Sequence, residues 1–267
     1  MTDRSIGFSG AIVRTPGRSI VDGVTTAQLG KPDYDSAIKQ HLEYIKVLEH
    51  CGLQVTVMAS EDQYPDSVFV EDCAVLTDAC AVVTNTGVAS RMGEEVSIRS
   101  MLKTMYKNVR DIKAPGVLEG GDVLRVQDHF YIGQTARTNK AGVEQLIAIL
   151  QEFGYTASMI NVNEMLHLKT GAAYLGDDTV VLAGGLIDHP VFGSFRKIIV
   201  DRDEAYASNC VRINDFVIVP AGYRRTRDTI QQCGYTVFEV DVSEFGKVDG
   251  GISCLSLRIP LTLPIIC

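Results

Sequence analysis

The feature of this sequence that most constrains its fold is a hairpin-like unit that recurs four times. Each copy has two short apolar runs around a polar turn, and the turns are centred on Asp78, Asp128, Asp178 and Asn214. These centres are 50, 50 and 36 residues apart, and such spacing is typical of a repeat architecture in which each copy is one supersecondary block. Short polar turns between apolar runs predict β-hairpins.

Helical patterns follow most of these hairpins. Apolar residues at helical spacing predict helices over four segments, residues 34–50, 98–105, 143–153 and 226–233. After the hairpin at Asp178 the pattern predicts only a short helical piece near residues 192–197. A strand-like run comes after each helix, so the repeat is a ββαβ module.

The first strand-like run, residues 11–14, has no hairpin partner before it. The apolar run after Cys254 can supply that partner and close the modules into a ring. Such closure predicts an α/β fold with residues 1–267 as a single domain and no linker. It leaves the apolar tail, residues 259–267, without an assigned role.

Composition narrows the class of protein. The formal net charge of −8 argues against sequence-wide affinity for nucleic acid or anionic membranes. No apolar run is long enough to span a bilayer, and no secretory signal is apparent. Seven cysteines without a C-x-x-C spacing or pairing pattern predict free thiols in a reducing, cytoplasmic compartment. Neither a zinc-ligand cluster nor a nucleotide-binding glycine motif is visible.

The connections between the hairpins carry the residues that suggest chemistry. Asp72 lies just before the hairpin centred on Asp78, Glu119 before the one at Asp128 and His167 before the one at Asp178, and Cys254 follows Gly250-Gly251 near the end. Each has a plainer interpretation when taken alone: a solvated carboxylate, a satisfied core histidine or a small buried cysteine. In a closed ring, however, equivalent connections meet around one central axis.

Several of these motifs together resemble one enzyme family, the dimethylarginine dimethylaminohydrolases of the guanidine-modifying superfamily. The matching segments are residues 14–16, 20–24, 29–34, 66–72, 136–139, 167–171 and 247–258. The resemblance implies the five-bladed pseudosymmetric α/β propeller, or pentein fold, with a central active site. It ends at about Arg258.

The resemblance also implies which residues perform the reaction. Cys254 would be the nucleophile and His167 the general acid and base. Glu119 and Asp72 would hold the substrate guanidinium, with Glu71 beside them. The implied reaction hydrolyses N-ω-methylated arginines to citrulline and an alkylamine through a covalent thiouronium on Cys254, without a metal or an organic cofactor.

A second set of residues is implied at the amino acid end of the substrate. Arg91 and Arg137 match arginines that bind the α-carboxylate. Asp66 would meet the α-amino group, assisted by backbone groups of Val24 and Val248. The expected partner is therefore a small methylated arginine rather than nucleic acid or membrane, and a homodimer is compatible with the sequence.

This chemistry suits the residue types. A guanidinium carbon is a poor electrophile, and a thiolate is the strongest nucleophile that protein side chains offer. A bound cation would itself lower the pKa of the thiol. Carboxylates facing the guanidinium would offset its charge and orient its plane through charge-assisted hydrogen bonds.

Two other functions stay open. Arginine deiminases and amidinotransferases share the Glu-Gly-Gly-Asp element and the cysteine and histidine. They carry an acidic residue two positions after the histidine, whereas this chain has Lys169 there. Some proteins of the fold are non-enzymatic binders, including a ribosome-associated initiation factor. In a binder, Cys254, His167 and Glu119 would be replaceable, and the net charge of −8 disfavours a ribosomal partner.

Overall fold

The structure, a computed structural model, describes residues 7–261. Its fifteen strands are β1 (Phe8–Arg14), β2 (Gln54–Met58), β3 (Ala74–Leu76), β4 (Ala81–Val83), β5 (Val109–Asp111), β6 (Val123–Val126), β7 (His129–Gln134), β8 (Thr156–Asn161), β9 (Ala172–Gly176), β10 (Thr179–Leu182), β11 (Arg196–Ile199), β12 (Val211–Ile213), β13 (Phe216–Pro220), β14 (Thr236–Val240) and β15 (Leu257–Pro260). Its helices are α1 (Tyr34–His50), α2 (Glu95–Met105), α3 (Lys140–Glu152), α4 (Leu168–Gly171), α5 (Arg224–Gln232) and α6 (Ser243–Gly246).

The strands form five three-stranded sheets with one shared plan. The orders are β15-β1-β2, β3-β4-β5, β6-β7-β8, β9-β10-β11 and β12-β13-β14. In each sheet the first pair is antiparallel and the third strand is parallel to the second. A parallel pair requires a crossover, and a helix supplies it in four of the five modules. The predicted ββαβ module is confirmed.

The hydrophobic core closes the modules into a ring. Five buried clusters each join two neighbouring sheets, and the last cluster joins the fifth sheet to the first. Within β1, Ile12 packs toward the second sheet, whereas Ala11 and Val13 pack toward the fifth. This is the alternation of a strand that is buried on both faces. The predicted α/β propeller with five modules is therefore confirmed.

Ring closure uses the two ends of the described chain, as predicted. Strand β15 pairs antiparallel with β1, with Leu257 opposite Ile12. The unassigned tail begins inside this strand, since Ile259 and Pro260 pair with Gly10 and Phe8. The remainder of the tail, beyond residue 261, lies outside the described residues.

One prediction about the elements is wrong. The helical piece expected near residues 192–197 is instead a single 3-10 turn at Pro190–Phe192, and β11 already begins at Arg196. Pro190 favours the start of a helical turn, but only three residues separate Phe192 from Arg196. The β-branched pair Ile198-Ile199 then favours the strand.

The helices begin where the sequence places capping residues. The side chain of Asp33 accepts a hydrogen bond from the backbone N–H of Ser36 at the start of α1. Asn139 does the same for α3. Across residues 7–261, none of the helices combines the length and the apolar character needed to span a membrane.

Candidate active site

The site forms where the connections into the first strand of each sheet converge. Asp72, Glu119, His167 and Cys254 precede β3, β6, β9 and β15, and they lie in contact or close to one another. Eight of the ten predicted site residues line one pocket: Val24, Asp66, Asp72, Arg91, Arg137, His167, Val248 and Cys254. Glu119 lies fully buried beneath it, bonded to His167.

Two Gly-Gly pairs allow the connections to approach this closely. A Cβ on Gly120 would collide with the backbone oxygen of Glu71, and one on Gly121 would lie 2.7 Å from the His167 ring. Near the nucleophile, a Cβ on Gly250 would collide with the ring of Phe69. Glycine is required in these turns because neighbouring groups occupy the space of a side chain.

The histidine belongs to a buried ionic cluster. His167 Nε2 lies 2.7 Å from Glu119 Oε2 and 4.0 Å from Asp72 Oδ1. Burial disfavours the imidazolium, but the carboxylates of Asp72 and Glu119 outweigh it and raise the pKa of His167 to about 9. His167 is therefore protonated at neutral pH and can donate a proton.

Glu119 and Asp72 are fixed by further partners. Glu119 accepts a hydrogen bond from Thr86 Oγ1 at 2.6 Å. Asp72 accepts one from the backbone N–H of Gly121 at 2.9 Å and pairs with Arg91 at 2.7 Å. Burial raises the pKa of Glu119, but His167 and Arg91 outweigh it and hold that pKa below its usual range. Both carboxylates are thus oriented before a substrate arrives.

The thiol of Cys254 is buried next to negative charge. Its side chain is 9% exposed, and Sγ accepts a hydrogen bond from the backbone N–H of Gly251 at 3.4 Å. Burial, together with the carboxylates of Glu71 and Asp72, raises the pKa of Cys254 to about 12. Without a bound cation the residue is a thiol at neutral pH.

Glu71 takes a place that the sequence did not indicate. Its carboxylate accepts a hydrogen bond from Ser253 Oγ at 2.7 Å and pairs with Lys169 at 2.6 Å and with Arg258. It lines a second cavity of about 170 Å³ on the inner walls of the sheets, and it is not among the residues that line the pocket of Cys254. Glu71 therefore lies behind the nucleophile turn.

The predicted amino acid contacts line the same pocket. The backbone N–H of Val24 donates to Asp66 Oδ1 at 3.1 Å, which joins two of these residues. Arg91 is held by Glu94, whose carboxylate contacts its Nε at 2.7 Å. Arg137 lies 3.5 Å from Glu119. These two arginines and the carboxylate of Asp66 can bind the α-carboxylate and α-amino group of a zwitterion.

Several supporting residues escaped sequence reasoning. Glu94 belongs to no motif that the sequence made recognisable, and burial raises its pKa to about 7 against the opposing effect of Arg91. Asn209 precedes β12 as Asp72, Glu119, His167 and Cys254 precede their strands. Its position in the repeat was the available signal, because the fourth hairpin also needs a connection at the axis.

One group of side chains has the spacing of a metal site. Ligand atoms of Asp72, Glu119 and His167 all lie within 4.8 Å of one another. Two carboxylates and an imidazole suit a divalent cation of the zinc type. Their existing bonds to one another and to Arg91 suit a guanidinium cation as well.

Comparisons with known proteins agree with this geometry. A family model described as N,N dimethylarginine dimethylhydrolase, eukaryotic, matches residues 27–215. The chain is 47% identical over 252 residues to N(G),N(G)-dimethylarginine dimethylaminohydrolase of Pseudomonas aeruginosa, covering 94% of this chain and 99% of that protein. It is 32% identical over 250 residues to the protein of that name from Streptomyces coelicolor, covering 93% and 96%.

Solved structures extend the similarity to the whole fold. A cysteine-to-serine mutant of the Pseudomonas aeruginosa protein in complex with citrulline superposes with a TM-score of 0.94 at 46% identity, covering 95% of this chain and 100% of that one. The N-terminal domain of ArgZ superposes at 0.86 with 19% identity, over 95% and 99% of the two chains, and so shares the fold. Sequence, fold and the convergence of Cys254, His167 and Glu119 agree that this chain belongs to the dimethylarginine dimethylaminohydrolase family of hydrolases.

Proposed function

We propose that this protein hydrolyses asymmetric dimethylarginine and monomethylarginine to citrulline and dimethylamine or methylamine, with Cys254 as the nucleophile. The observation that carries the proposal is the convergence of Cys254, His167, Glu119 and Asp72 in one pocket region. The names of the relatives, and the citrulline in the Pseudomonas aeruginosa complex, support the same reaction.

Binding would begin with the guanidinium. Its positive charge matches the carboxylates of Asp72 and Glu119, which the protein holds in a nearly dry site. The same charge, placed beside Sγ, would lower the pKa of Cys254 and release the thiolate. The substrate would thereby help to generate the group that attacks it.

The chemical steps follow from these positions. The thiolate forms an S–C bond to the guanidinium carbon, and the C–N bond to the alkylamine breaks as His167 donates its proton to the leaving nitrogen. This leaves a thiouronium on Cys254 and a neutral His167. Water then attacks the same carbon while His167 takes one of its protons. The C–S bond breaks, and the remaining hydroxyl proton passes to the departing sulfur, which gives citrulline and restores the Cys254 thiol and the protonated His167.

The amino acid end of the substrate would bind to other residues of the same pocket. Arg91 and Arg137 would bind the α-carboxylate, and Asp66 with backbone groups of Val24 and Val248 would bind the α-amino group. Glu71 would act on the guanidinium site indirectly, since its carboxylate bonds Ser253, next to Cys254. Neither a metal nor an organic cofactor takes part in the proposed steps.

Unmethylated arginine is the second candidate substrate. The chain is 23% identical over 260 residues to the bifunctional arginine dihydrolase/ornithine cyclodeaminase ArgZ of Synechocystis. Against arginine, Lys169 stands two residues after His167 and is engaged with Glu71 rather than offering a carboxylate to a guanidinium. We therefore expect methylated arginines to be preferred.

The test compares substrates and a nucleophile variant. Purified protein should release citrulline from dimethylarginine and monomethylarginine faster than from arginine. Cys254→Ser should lose at least about a thousandfold in kcat, because a serine hydroxyl is far less readily ionised than a thiol. Citrulline formation measured for each substrate checks both points. Equal or faster turnover of arginine would contradict the substrate preference, and full activity in the serine variant would contradict the mechanism.

We also propose a reducing compartment and a homodimeric assembly for this protein. Six cysteines of residues 7–261 are free thiols, five of them buried, which suits a reducing compartment such as the cytoplasm. A homodimer stays a prediction. Sedimentation of the purified protein at several concentrations would measure it.

A further inference from the structure

Asn209 lies in the segment that leads into β12, the first strand of the fifth sheet. We call the five such segments, which meet at the centre of the ring, the axial connections. The one that holds Asn209 is the one whose residue has no role in the proposed reaction. Asn209 lies two residues before β12 and is 8% exposed. In the other four modules the corresponding connection carries Asp72, Glu119, His167 or Cys254. The ring therefore brings Asn209 to the same axis, although Asn209 is not among the residues that line the pocket.

The side chain of Asn209 joins the two segments that carry the reacting groups. Its Nδ2 donates to the backbone oxygen of Lys169 at 2.9 Å, two residues after His167. Its Oδ1 accepts the backbone N–H of Ser253 at 2.9 Å, one residue before Cys254. A second hydrogen bond from Nδ2 reaches Ser253 Oγ at 3.2 Å. One planar amide thus spans from the histidine turn to the nucleophile turn.

The surroundings hold the amide in this orientation. A Cβ on Gly251 would lie 2.6 Å from the Asn209 side chain, so the nucleophile turn packs directly against it. Ser253 Oγ in turn donates to Glu71 at 2.7 Å, and Glu71 pairs with Lys169 at 2.6 Å. The same two segments are therefore tied twice, once through the amide and once through the Glu71 carboxylate.

We propose that Asn209 is a positioning residue that sets the separation between the Cys254 thiol and the His167 imidazole by bonding both of their turns. The inference rests on the proposed function. Thiol attack and proton donation must act on one substrate carbon and its leaving nitrogen, and a displacement of about 1 Å can cost about a hundredfold in rate. The amide acts through the backbone of Lys169 and Ser253 and contacts no substrate.

The positioning role differs in its kinetics from a merely stabilising one. The guanidinium carboxylates and the α-carboxylate arginines do not bond Asn209, so substrate binding should survive its loss. The chemical step should not. Asn209→Ala should lower kcat by about 10- to 100-fold and leave KM within about threefold of the wild-type value.

Asn214 offers a matched control. It is also an asparagine with three side-chain hydrogen bonds to the chain: from the backbone N–H of Phe8 at 2.8 Å, and to the backbone oxygens of Phe8 at 3.2 Å and Cys51 at 3.0 Å. It lies in the β12–β13 turn at a φ of 52°. Asn214→Gly therefore removes comparable bonds without backbone strain and should lower the melting temperature while leaving kcat within about threefold.

The experiment measures kcat, KM and melting temperature for wild type, Asn209→Ala and Asn214→Gly with dimethylarginine. A tenfold or greater loss of kcat in Asn209→Ala alone, at nearly constant KM, supports the inference. Wild-type kcat in Asn209→Ala, or an equal loss of kcat in Asn214→Gly, overturns it. If the alanine variant does not fold, Asn209→Ser takes its place, because a hydroxyl can bond only one of the two turns.

A second readout separates this inference from the proposed function. Chloroacetamidine is a small cation that should enter the guanidinium site and alkylate Cys254. Its rate constant in Asn209→Ala should fall at least about fivefold below wild type and stay at the wild-type value in Asn214→Gly. If wild type fails to hydrolyse methylarginines, the proposed function is wrong, and this alkylation rate alone decides the role of Asn209. An unchanged rate overturns it.

Discussion

At the Cys254 thiol, burial and negative charge act together against ionisation. Both raise the pKa of Cys254, to about 12, and the N–H of Gly251 only partly opposes them. The same carboxylates that suppress the thiolate would attract a guanidinium. Ionisation and substrate binding are therefore coupled, and each should favour the other by the same free energy.

The coupling predicts how alkylation of Cys254 depends on pH. With neutral iodoacetamide, the rate at Cys254 in the free enzyme should keep rising from about pH 7 to about pH 10, because the thiol pKa lies above that range. With cationic chloroacetamidine, the rise should occur at lower pH, because the bound cation stabilises the thiolate. Mass spectrometry of the Cys254 peptide measures both profiles.

Cys233, the exposed cysteine of the described residues, provides an internal reference in the same samples. Its alkylation should follow one pH profile with both reagents, apart from a constant factor. Superimposable profiles for Cys254 with the two reagents would mean that a cation does not assist ionisation at this site.

At the residue scale, the repeat alone grouped a cysteine, a histidine and carboxylates in equivalent connections before any coordinates were known. The remaining named residues came from the family resemblance, and eight of the ten line one pocket. The orientation of Glu71 could not be predicted, because it depends on Lys169 and Arg258 from distant segments. As a result, the adjacent residues Glu71 and Asp72 line different cavities.

At the element scale, the turn before β6 shows why a short glycine motif carries so much information. Gly120 and Gly121 lie in a 3-10 turn that ends at Asp122. Asp122 accepts the backbone N–H of Leu168 at 2.9 Å and thereby helps to anchor the turn after His167. The four residues 119–122 thus supply the Glu119 carboxylate, the glycines that leave room for neighbouring groups, and the hydrogen bond from Leu168 that anchors the turn after His167.

The tight clearance predicts the effect of a single methyl group. Gly121→Ala would place a Cβ 2.7 Å from the His167 ring and 2.9 Å from Asp72 Oδ1, so the ring and the carboxylate must move apart. We expect kcat to fall at least about tenfold and the free energy of unfolding to fall by about 1–3 kcal/mol. Steady-state kinetics and denaturant unfolding measure the two effects.

Gly185 is the matched position for this test. It lies in a 3-10 turn as well, and a Cβ there would have no heavy atom within 4 Å outside its immediate chain neighbours. Gly185→Ala should therefore leave kcat unchanged. Wild-type activity in Gly121→Ala would show that the His167 ring does not need this space.

Helices and strands were predicted best where apolar residues recur with a regular helical or strand period. Helix α1 was predicted at its observed bounds because its apolar spacing is regular, and the structure adds Asp33 as its N-cap. The fourth module was harder to predict, since its crossover has only 3-10 turns at Gly184–Leu186 and Pro190–Phe192. Phe192 and Leu186 fix that crossover by packing into the hydrophobic cluster between the third and fourth sheets. Local helix propensity does not predict such tertiary packing.

For the molecule as a whole, the ring is closed by hydrogen bonds between distant segments rather than by chain continuity. Strand β15 completes the first sheet, and the backbone N–H of Leu261 donates to the oxygen of Gly7 at 2.8 Å. The hydrophobic cluster between the fifth and first sheets is built like the other four. The repeat predicted this closure, because the first module has no hairpin partner before its first strand and the apolar run after Cys254 can supply one.

Noncovalent closure predicts tolerance to circular permutation. Residues 7 and 261 are hydrogen-bonded neighbours, so a permutant built from residues 7–261 can join these two residues through a short flexible linker. New termini between Asp177 and Asp178, in the exposed β9–β10 turn, would interrupt no strand pairing. The permutant should keep kcat for dimethylarginine within about threefold of wild type, because all five axial connections remain intact.

Opening the ring between Val217 and Ile218, inside β13, should abolish folding. Citrulline formation and melting curves compare the three proteins, and an inactive or unfolded first permutant would mean that chain continuity through the β9–β10 hairpin of the fourth sheet contributes more than the packing indicates.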